Sequence, residues 1–322
     1  TAAFVDMGIG LFLLRREAQN RPQLMRTAFA ALSVLLATSL SMTVVQFDPL
    51  KMASGVFRTG STILSDDAQL IFYRDGKTAS VSVTQYADAR RLIATNGKTD
   101  AAINIHGKPA SDEPTMALLA ALPLAMHASP EEIGVIGFGS GMSTHTLLGD
   151  SRVKRVDTIE IEPAMIEGAR AFGSKVERAY TDPRSNIVID DAKAYFSGQQ
   201  ARYDIIVSEP SNPWISGVGT LFSKEFYEFI PRHLKPGGLF VQWVQLYEID
   251  EMLLASIMNA LTPAFSDYQA YISNTADLII IATPQGRLPE IKPQRILQGP
   301  VGEDMKKLGI ASAGQLQLRK IA

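Results

Sequence analysis

The chain has 322 residues, 46% of them hydrophobic, so it is long enough for one large or two modest domains with a buried core. Its 31 basic and 33 acidic residues give a formal net charge of −2, which provides no overall field to attract nucleic acid or an anionic surface. The absence of cysteine excludes disulfides, thiolate zinc sites, iron–sulfur clusters and cysteine nucleophiles.

The first 50 residues are predicted to be the end of a membrane region. Residues 27–46 contain no charged side chain, and a stretch of this length can span a bilayer as a transmembrane helix. A buried helix of a soluble protein is the alternative interpretation. Four arginines within residues 15–26 place that segment on the cytoplasmic side by the positive-inside rule.

A small antiparallel β-domain is predicted for residues 57–107. Residues 70–83 alternate apolar and polar side chains around an Asp-Gly pair (75–76), which is typical of a β-hairpin. An Asn-Gly pair (96–97) follows a short strand and marks a second hairpin turn. A helix is then predicted over residues 115–128.

Strands and helices alternate from residue 133 onward. The predicted strands cover residues 133–137, 155–160, 187–189, 203–207 and 238–243. Short apolar strands separated by helices indicate a parallel, doubly wound sheet, with a last strand (278–283) pairing antiparallel at its end. We therefore predict an α/β fold, Rossmann-like and of the class I methyltransferase type, over residues 112–285, followed by a C-terminal tail over residues 286–322.

Glycines or carboxylates follow four consecutive predicted strands. After the first strand a turn leads into a helix, and it contains Gly137, Gly139, Ser140 and Gly141. The acids that follow the next three strands are Glu160, then Asp190 and Asp191, then Glu209. The carboxyl ends of parallel strands meet at one edge of the sheet, where ligands bind, so these residues predict a cofactor site there.

The glycine turn favours a nucleoside without a pyrophosphate. Thr144 stands where the third glycine of a dinucleotide-binding turn would fall, which disfavours NAD. Glu160 lies roughly twenty residues beyond the turn, where an acid can accept both ribose hydroxyls. These features favour S-adenosylmethionine, whereas the glycine pattern alone could be a tight turn without a ligand.

Five segments in this order resemble the polyamine aminopropyltransferase (spermidine synthase) family, especially its membrane-fused bacterial branch. They are VIGFGSG (135–141), DTIEIEP (157–163), VIDDAKAYF (188–196), YDIIVSEPSNPWISGVGTLFSKEFYEFI (203–230) and LKPGGLFVQW (234–243). The resemblance covers roughly residues 60–285. It implies a small β-domain before a methyltransferase-like fold.

The resemblance also implies roles for individual residues. Glu160 would bind the ribose hydroxyls, Asp191 the adenine amino group, and Gln242 would lie near the acceptor. Glu209 matches the family's catalytic aspartate, which accepts a proton from the attacking amine or orients it. Trp214 is expected to be a lid residue over the substrate. The expected donor is S-adenosylmethionine or its decarboxylated form, without a metal.

Departures from the family pattern concern the acceptor. Ser140 replaces an aspartate that pairs with the propylamine of the decarboxylated donor, and Asn212 replaces one that helps bind the acceptor diamine. Met116 and Ala117 replace a tyrosine and a glutamine of the same pocket. A desolvated dication needs carboxylates or aromatic faces, so we expect an acceptor other than putrescine.

Three functions remain open at this point: aminopropyl or related transfer, methyl transfer from the same donor, and nucleoside sensing without turnover. The expected partners are a small-molecule amine, a membrane through the N-terminal segment and a second copy of the chain, and no nucleic acid. Because the donor is made in the cytosol, we expect the chain to be anchored in the bacterial inner membrane with its catalytic domain in the cytoplasm. The arginines of residues 15–26, which place that segment in the cytoplasm, instead predict that the residues after the span lie on the outer side of the membrane.

Overall fold

A computed structural model describes residues 2–17, 21–44, 48–198, 201–213 and 217–321. The chain divides into two compact units, Thr1–Pro49 and Leu50–Ala322. The first unit contains two helices, α1 (Ala2–Glu17) and α2 (Arg21–Val44).

The predicted membrane span is not supported by this structure. In the described part of the chain, no helix is both long and apolar enough to cross a bilayer. Residues 45 and 46 of the predicted span lie outside the described ranges.

The second unit contains two β-sheets and most of the helices. The strands are β1 (Gln69–Asp75), β2 (Ser80–Gln85), β3 (Arg90–Thr95), β4 (Lys98–Asn104), β5 (Glu132–Ile136), β6 (Arg155–Glu160), β7 (Ser185–Ile189), β8 (Tyr203–Ser208), β9 (Leu234–Gln245), β10 (Asp267–Asn274) and β11 (Asp277–Thr283). The remaining helices are α3 (Pro49–Ala53), α4 (Val56–Thr59), α5 (Glu113–Met126), α6 (Met142–Leu147), α7 (Pro163–Ala169), α8 (Arg178–Thr181), α9 (Ala192–Gly198), α10 (Lys224–Phe229), α11 (Glu251–Leu261), α12 (Gly299–Lys307) and α13 (Ala313–Gln317).

The smaller sheet is antiparallel and has the strand order β1-β2-β3-β4. Asn96 and Gly97 connect β3 to β4 in a two-residue turn, and both have positive φ, 50° and 77°. Such a turn matches the right-handed twist of the flanking strands. The predicted small antiparallel β-domain is therefore confirmed.

The larger sheet has the order β10-β11-β9-β8-β5-β6-β7. Strands β9, β8, β5, β6 and β7 are parallel, which confirms the Rossmann-like prediction. The predicted last strand corresponds to β11 and pairs antiparallel with β9, but it is not at the end of the sheet. That place belongs to β10, which was not predicted. Its alternating exposure is that of an edge strand rather than a buried parallel one.

Apolar side chains cover both faces of the larger sheet. The almost entirely buried α5 packs on one face, against Val135, Ile205 and Val241. Helices α10 and α11 pack on the other face, where Phe240 and Val244 belong to the core. The sheet is thus packed between helices on both faces, which positions its strand ends.

The chain reverses its direction across the sheet between β5 and β8, which opens a crevice at their carboxyl ends. There the segments after the two strands approach closely, and Glu209 N donates to Ile136 O at 2.9 Å. Gly137 has φ of 91°, and a Cβ at this position would lie 2.5 Å from the Glu209 carbonyl oxygen. Only glycine therefore fits at the first position of the turn.

A buried carboxylate joins the two sheets. Glu162, just after β6, accepts from Thr78 N and Thr78 Oγ1, both at 2.8 Å, and from Ala79 N at 3.3 Å in the turn between β1 and β2. Its other oxygen accepts from Ala164 N at 3.0 Å. Burial raises the pKa of Glu162, but the hydrogen bonds from Thr78 and Ala164 outweigh this, so the net shift is downward from 4.5.

We expect Glu162→Ala to lower the free energy of unfolding by about 2 kcal/mol at neutral pH, because three backbone N–H groups and the Thr78 hydroxyl lose a charged acceptor. Urea denaturation measures this, and the exposed Glu290→Ala is the control. Because the folded-state pKa lies below 4.5, the stabilisation is present above that pH and is lost as the pH falls through the lowered pKa. An equal loss in both variants would contradict the proposed role of Glu162.

Candidate active site

A cavity of about 490 Å³ opens at the carboxyl ends of β5, β6 and β8. Its wall combines the glycine turn, the acids that follow the strands, residues of β4 and the start of α5. Seven residues predicted from the sequence line it: Gly137, Gly139, Ser140, Glu160, Asp190, Asp191 and Glu209. The strand-end groups are therefore brought together as predicted, although their roles remain predictions.

Gly141 was also predicted to bind the cofactor, but it does not line the cavity. It precedes α6 with φ of 85°, and a Cβ there would lie 2.7 Å from the Phe138 ring. Glycine is therefore required at this position by the packing of the Phe138 ring beneath the turn, not by contact with a ligand.

Glu160 is buried at the wall of the cavity. Its carboxylate accepts from Phe138 N and from Glu162 N, each at 2.9 Å, so the backbone holds its orientation. A carboxylate has about four lone-pair positions, which leaves two for a diol. Burial raises the pKa of Glu160, and the backbone hydrogen bonds from Phe138, Glu162 and Ile161 only partly oppose this.

Asp190 and Asp191 line the cavity where it is exposed to solvent. One oxygen of Asp191 accepts from Ala194 N at 2.9 Å and so caps the start of α9. Asp190 Oδ1 accepts from Asp191 N at 2.8 Å. The structure therefore gives Asp191 a local role in the turn, and a ligand would share this carboxylate with the helix.

Glu209 follows β8, and its carboxylate accepts a hydrogen bond from the Ser143 hydroxyl on α6. The pKa of Glu209 is raised to about 8, because burial and the nearby charge of Asp277 raise it more than the Ser143 hydrogen bond lowers it. This shift favours the protonated form at neutral pH. A cation entering the cavity would favour the carboxylate form.

Two of the predicted acceptor residues, Gln242 and Asn212, do not line the cavity. Gln242 is wholly buried on the other face of β9, where its Nε2 donates to Trp243 O at 2.9 Å. Because side chains alternate along a strand, Trp243 lines the cavity instead. Asn212 is also wholly buried and off the cavity wall, and no described group pairs with its amide atoms. Trp214 lies outside the described residues.

Carboxylates that the sequence analysis missed also line the cavity, namely Asp112 and Asp277. Asp277 accepts from Trp243 Nε1 at 3.0 Å, from Thr115 Oγ1 at 2.9 Å and from Asn274 Nδ2 at 2.7 Å. Asp112 lies near it, and burial raises the pKa of Asp112. Neither acid belongs to a motif, and only the pairing of β11 with β9 brings Asp277 here.

The helix α5 contributes a different pair of residues from the one expected. Thr115 and Met116 line the cavity, whereas Ala117 is packed in the hydrophobic core. Met116, expected to replace a tyrosine of the acceptor pocket, therefore lies at the cavity, whereas Ala117, expected to replace a glutamine there, does not.

A further polar group comes from β4. Lys98 Nζ lies 3.1 Å from Asp100 Oδ1 and 3.2 Å from Ser211 Oγ, in the loop after β8. Ser211 Oγ also donates to Asp100 Oδ1 at 2.8 Å. The smaller sheet thus contacts the segment that carries Glu209. The only feature of the sequence that pointed to the position of Lys98 is the Asn-Gly turn before it, which fixes where β4 begins.

Comparisons with known proteins agree with this architecture. The family model described as the spermine/spermidine synthase domain matches residues 114–279. A polyamine aminopropyltransferase from Caldicellulosiruptor saccharolyticus is 28% identical over 155 residues, covering 48% of this chain and 55% of the relative. Spermidine synthase 1 from Hyoscyamus niger is 33% identical over 138 residues, 41% of this chain and 44% of the relative.

A solved spermidine synthase, in complex with the transition state analogue AdoDATO, superposes with a TM-score of 0.64 and 18% identity. The match covers 75% of this chain and 89% of that one and supports the fold. The chain spans about half the length of the curated relatives named above. These matches do not distinguish the membrane-fused branch. Because the family model covers just over half of the chain and the fold agrees with it, this chain belongs to the spermine/spermidine synthase family.

Proposed function

We propose that this chain transfers an aminopropyl or related group from an adenosyl-sulfonium donor to an amine and releases methylthioadenosine. The observation that carries the proposal is Glu209, a half-buried acid with a raised pKa that adjoins the glycine turn across the crevice. Perturbed acids in clefts are candidates for proton transfer. Membership of the family supports the same chemistry.

The donor half of the cavity suits a nucleoside. Gly137 and Gly139 remove side chains where a ligand would approach the turn, and Glu160 retains lone pairs for two ribose hydroxyls. We propose that Asp190 and Asp191 flank the adenine at the exposed rim. The donor is S-adenosylmethionine or its decarboxylated form.

The acceptor half of the cavity suits an amine that differs from putrescine. Ser140 is buried, and its hydroxyl contacts Met116 Sδ at 3.0 Å, so position 140 offers no charge to a propylammonium. Asn212 is likewise neutral. Asp112 and Asp277 supply charge elsewhere in the cavity, and they would hold an ammonium group in a different place.

The proposed reaction is a displacement at carbon. The amine nitrogen attacks the carbon bonded to the sulfonium, and the C–N bond forms as the C–S bond breaks. The bonding pair stays on sulfur, which becomes the neutral thioether of methylthioadenosine. The nitrogen gains positive charge and loses one proton, which Glu209 accepts once a bound cation has favoured its carboxylate form.

We expect Glu160→Gln to weaken methylthioadenosine binding by about tenfold or more, since the ribose loses a charged acceptor. Calorimetry measures the affinity, and thermal unfolding of the same sample separates binding from folding. The exposed Glu290→Gln is the control. An unchanged affinity in folded Glu160→Gln would show that the ribose assignment is wrong.

We expect kcat/KM for methylthioadenosine release to rise with pH and to level off above about pH 8, because protonated Glu209 cannot accept a proton. Glu209→Gln should lower kcat by roughly 10²-fold or more and remove this inflection. Ser143→Ala should move the inflection to higher pH, because the Ser143 hydrogen bond lowers the pKa of Glu209.

Chromatography of the products tests the proposal against its alternatives. Release of S-adenosylhomocysteine in place of methylthioadenosine would indicate methyl transfer. Saturable nucleoside binding without any product from a panel of amines would indicate a sensing module. Either result would contradict the proposed function.

A further inference from the structure

The wall that β4 contributes to the cavity contains a buried ion pair with unused bonding capacity. Lys98 is only 3% exposed, and its ammonium group contacts Asp100 and Ser211. An ammonium has three donors, and the described residues supply two acceptors. Asp100 Oδ2 is buried and has no partner among the described groups. One N–H donor and one carboxylate oxygen therefore remain for a ligand.

Leaving such groups unpaired in a buried place is unfavourable, because each loses its hydrogen bonds to water. A ligand group that carries both an anion and a cation would satisfy the two together. A diamine could pair with Asp100 only, and its ammonium would then face the like charge of Lys98. The pair thus matches a zwitterion better than a dication.

The remaining charges of the cavity strengthen this argument. Lys98 is the only basic residue among the described residues that line the cavity, whereas several acids line it, including Asp112, Asp277 and Glu209. Acids alone would suffice to hold a polyamine. A buried lysine among these acids would pair with a negative charge on the substrate.

We infer that Lys98 and Asp100 bind an α-amino carboxylate group of a substrate. Lys98 holds the carboxylate through its third N–H donor, and Asp100 Oδ2 accepts from the α-ammonium group. This inference rests on the proposed function. Two substrates can present the group: S-adenosylmethionine that is not decarboxylated, as the donor, or a diamino acid such as ornithine, as the acceptor.

Equilibrium binding to the full chain tests the inference without turnover. One arm compares S-adenosylmethionine with decarboxylated S-adenosylmethionine by calorimetry. The other arm compares ornithine with putrescine in the presence of saturating methylthioadenosine. The two members of each pair differ by one carboxylate. We expect a preference of about tenfold or more for the carboxylate-bearing member in one arm.

Lys98→Met should reduce that preference to about one, and the exposed Lys108→Met should leave it unchanged. Because Lys98→Met leaves Asp100 without its cation, Lys98→Gln provides a second test, since its amide keeps donors for Asp100 and Ser211 without the charge. Asp100→Asn should weaken binding of the carboxylate-bearing member while the protein stays folded.

A preference in the first arm assigns the carboxylate to the donor, and one in the second assigns it to the acceptor; both support the inference. It is overturned if neither arm shows a preference, or if the preference survives in both Lys98 variants. Failure of the proposed function is a separate result, namely no methylthioadenosine release with any amine, because the binding ratio is measured without product.

Discussion

The close approach of two backbone segments at the crevice is the constraint on which the site depends. The absence of a side chain at Gly137 lets the chain after β8 pass directly over the end of β5, where Glu209 N binds Ile136 O. This contact places the proposed base beside the proposed donor turn. A side chain at Gly137 would push the two halves of the cavity apart, and the site could not form.

The same closeness explains the electrostatics of the cavity. Glu209 loses most of its hydration there, and the only described hydrogen-bond donor to its carboxylate is the Ser143 hydroxyl, so its neutral form is favoured until a cation binds. Glu160 differs because two backbone N–H groups hold its carboxylate, which suits a fixed acceptor of hydrogen bonds. The two glutamates at this sheet edge, Glu160 buried and Glu209 half-buried, thus differ in their electrostatics because their hydrogen-bond partners differ.

The smaller sheet completes the cavity rather than merely preceding it. Glu162 ties the turn between β1 and β2 to the end of β6, and Lys98 and Asp100 contact the loop after β8 through Ser211. Both connections lie at the rim of the same cavity. The position of β4 therefore decides which of its charged side chains face the cavity.

The sequence by itself determined the features that depend on neighbouring residues. The Asn-Gly turn, the alternating strands and helices, the glycine turn and the strand-end acid Glu160 all follow from local periodicity and from the rule that parallel strands end at one edge. Only the tertiary structure decided which face of β9 meets the cavity, so Trp243 rather than Gln242 lines it. Strand pairing over long separations brought Asp277 and Lys98 to the site and made β10 the edge strand. These placements depend on contacts between distant segments, which no local pattern of residue types encodes.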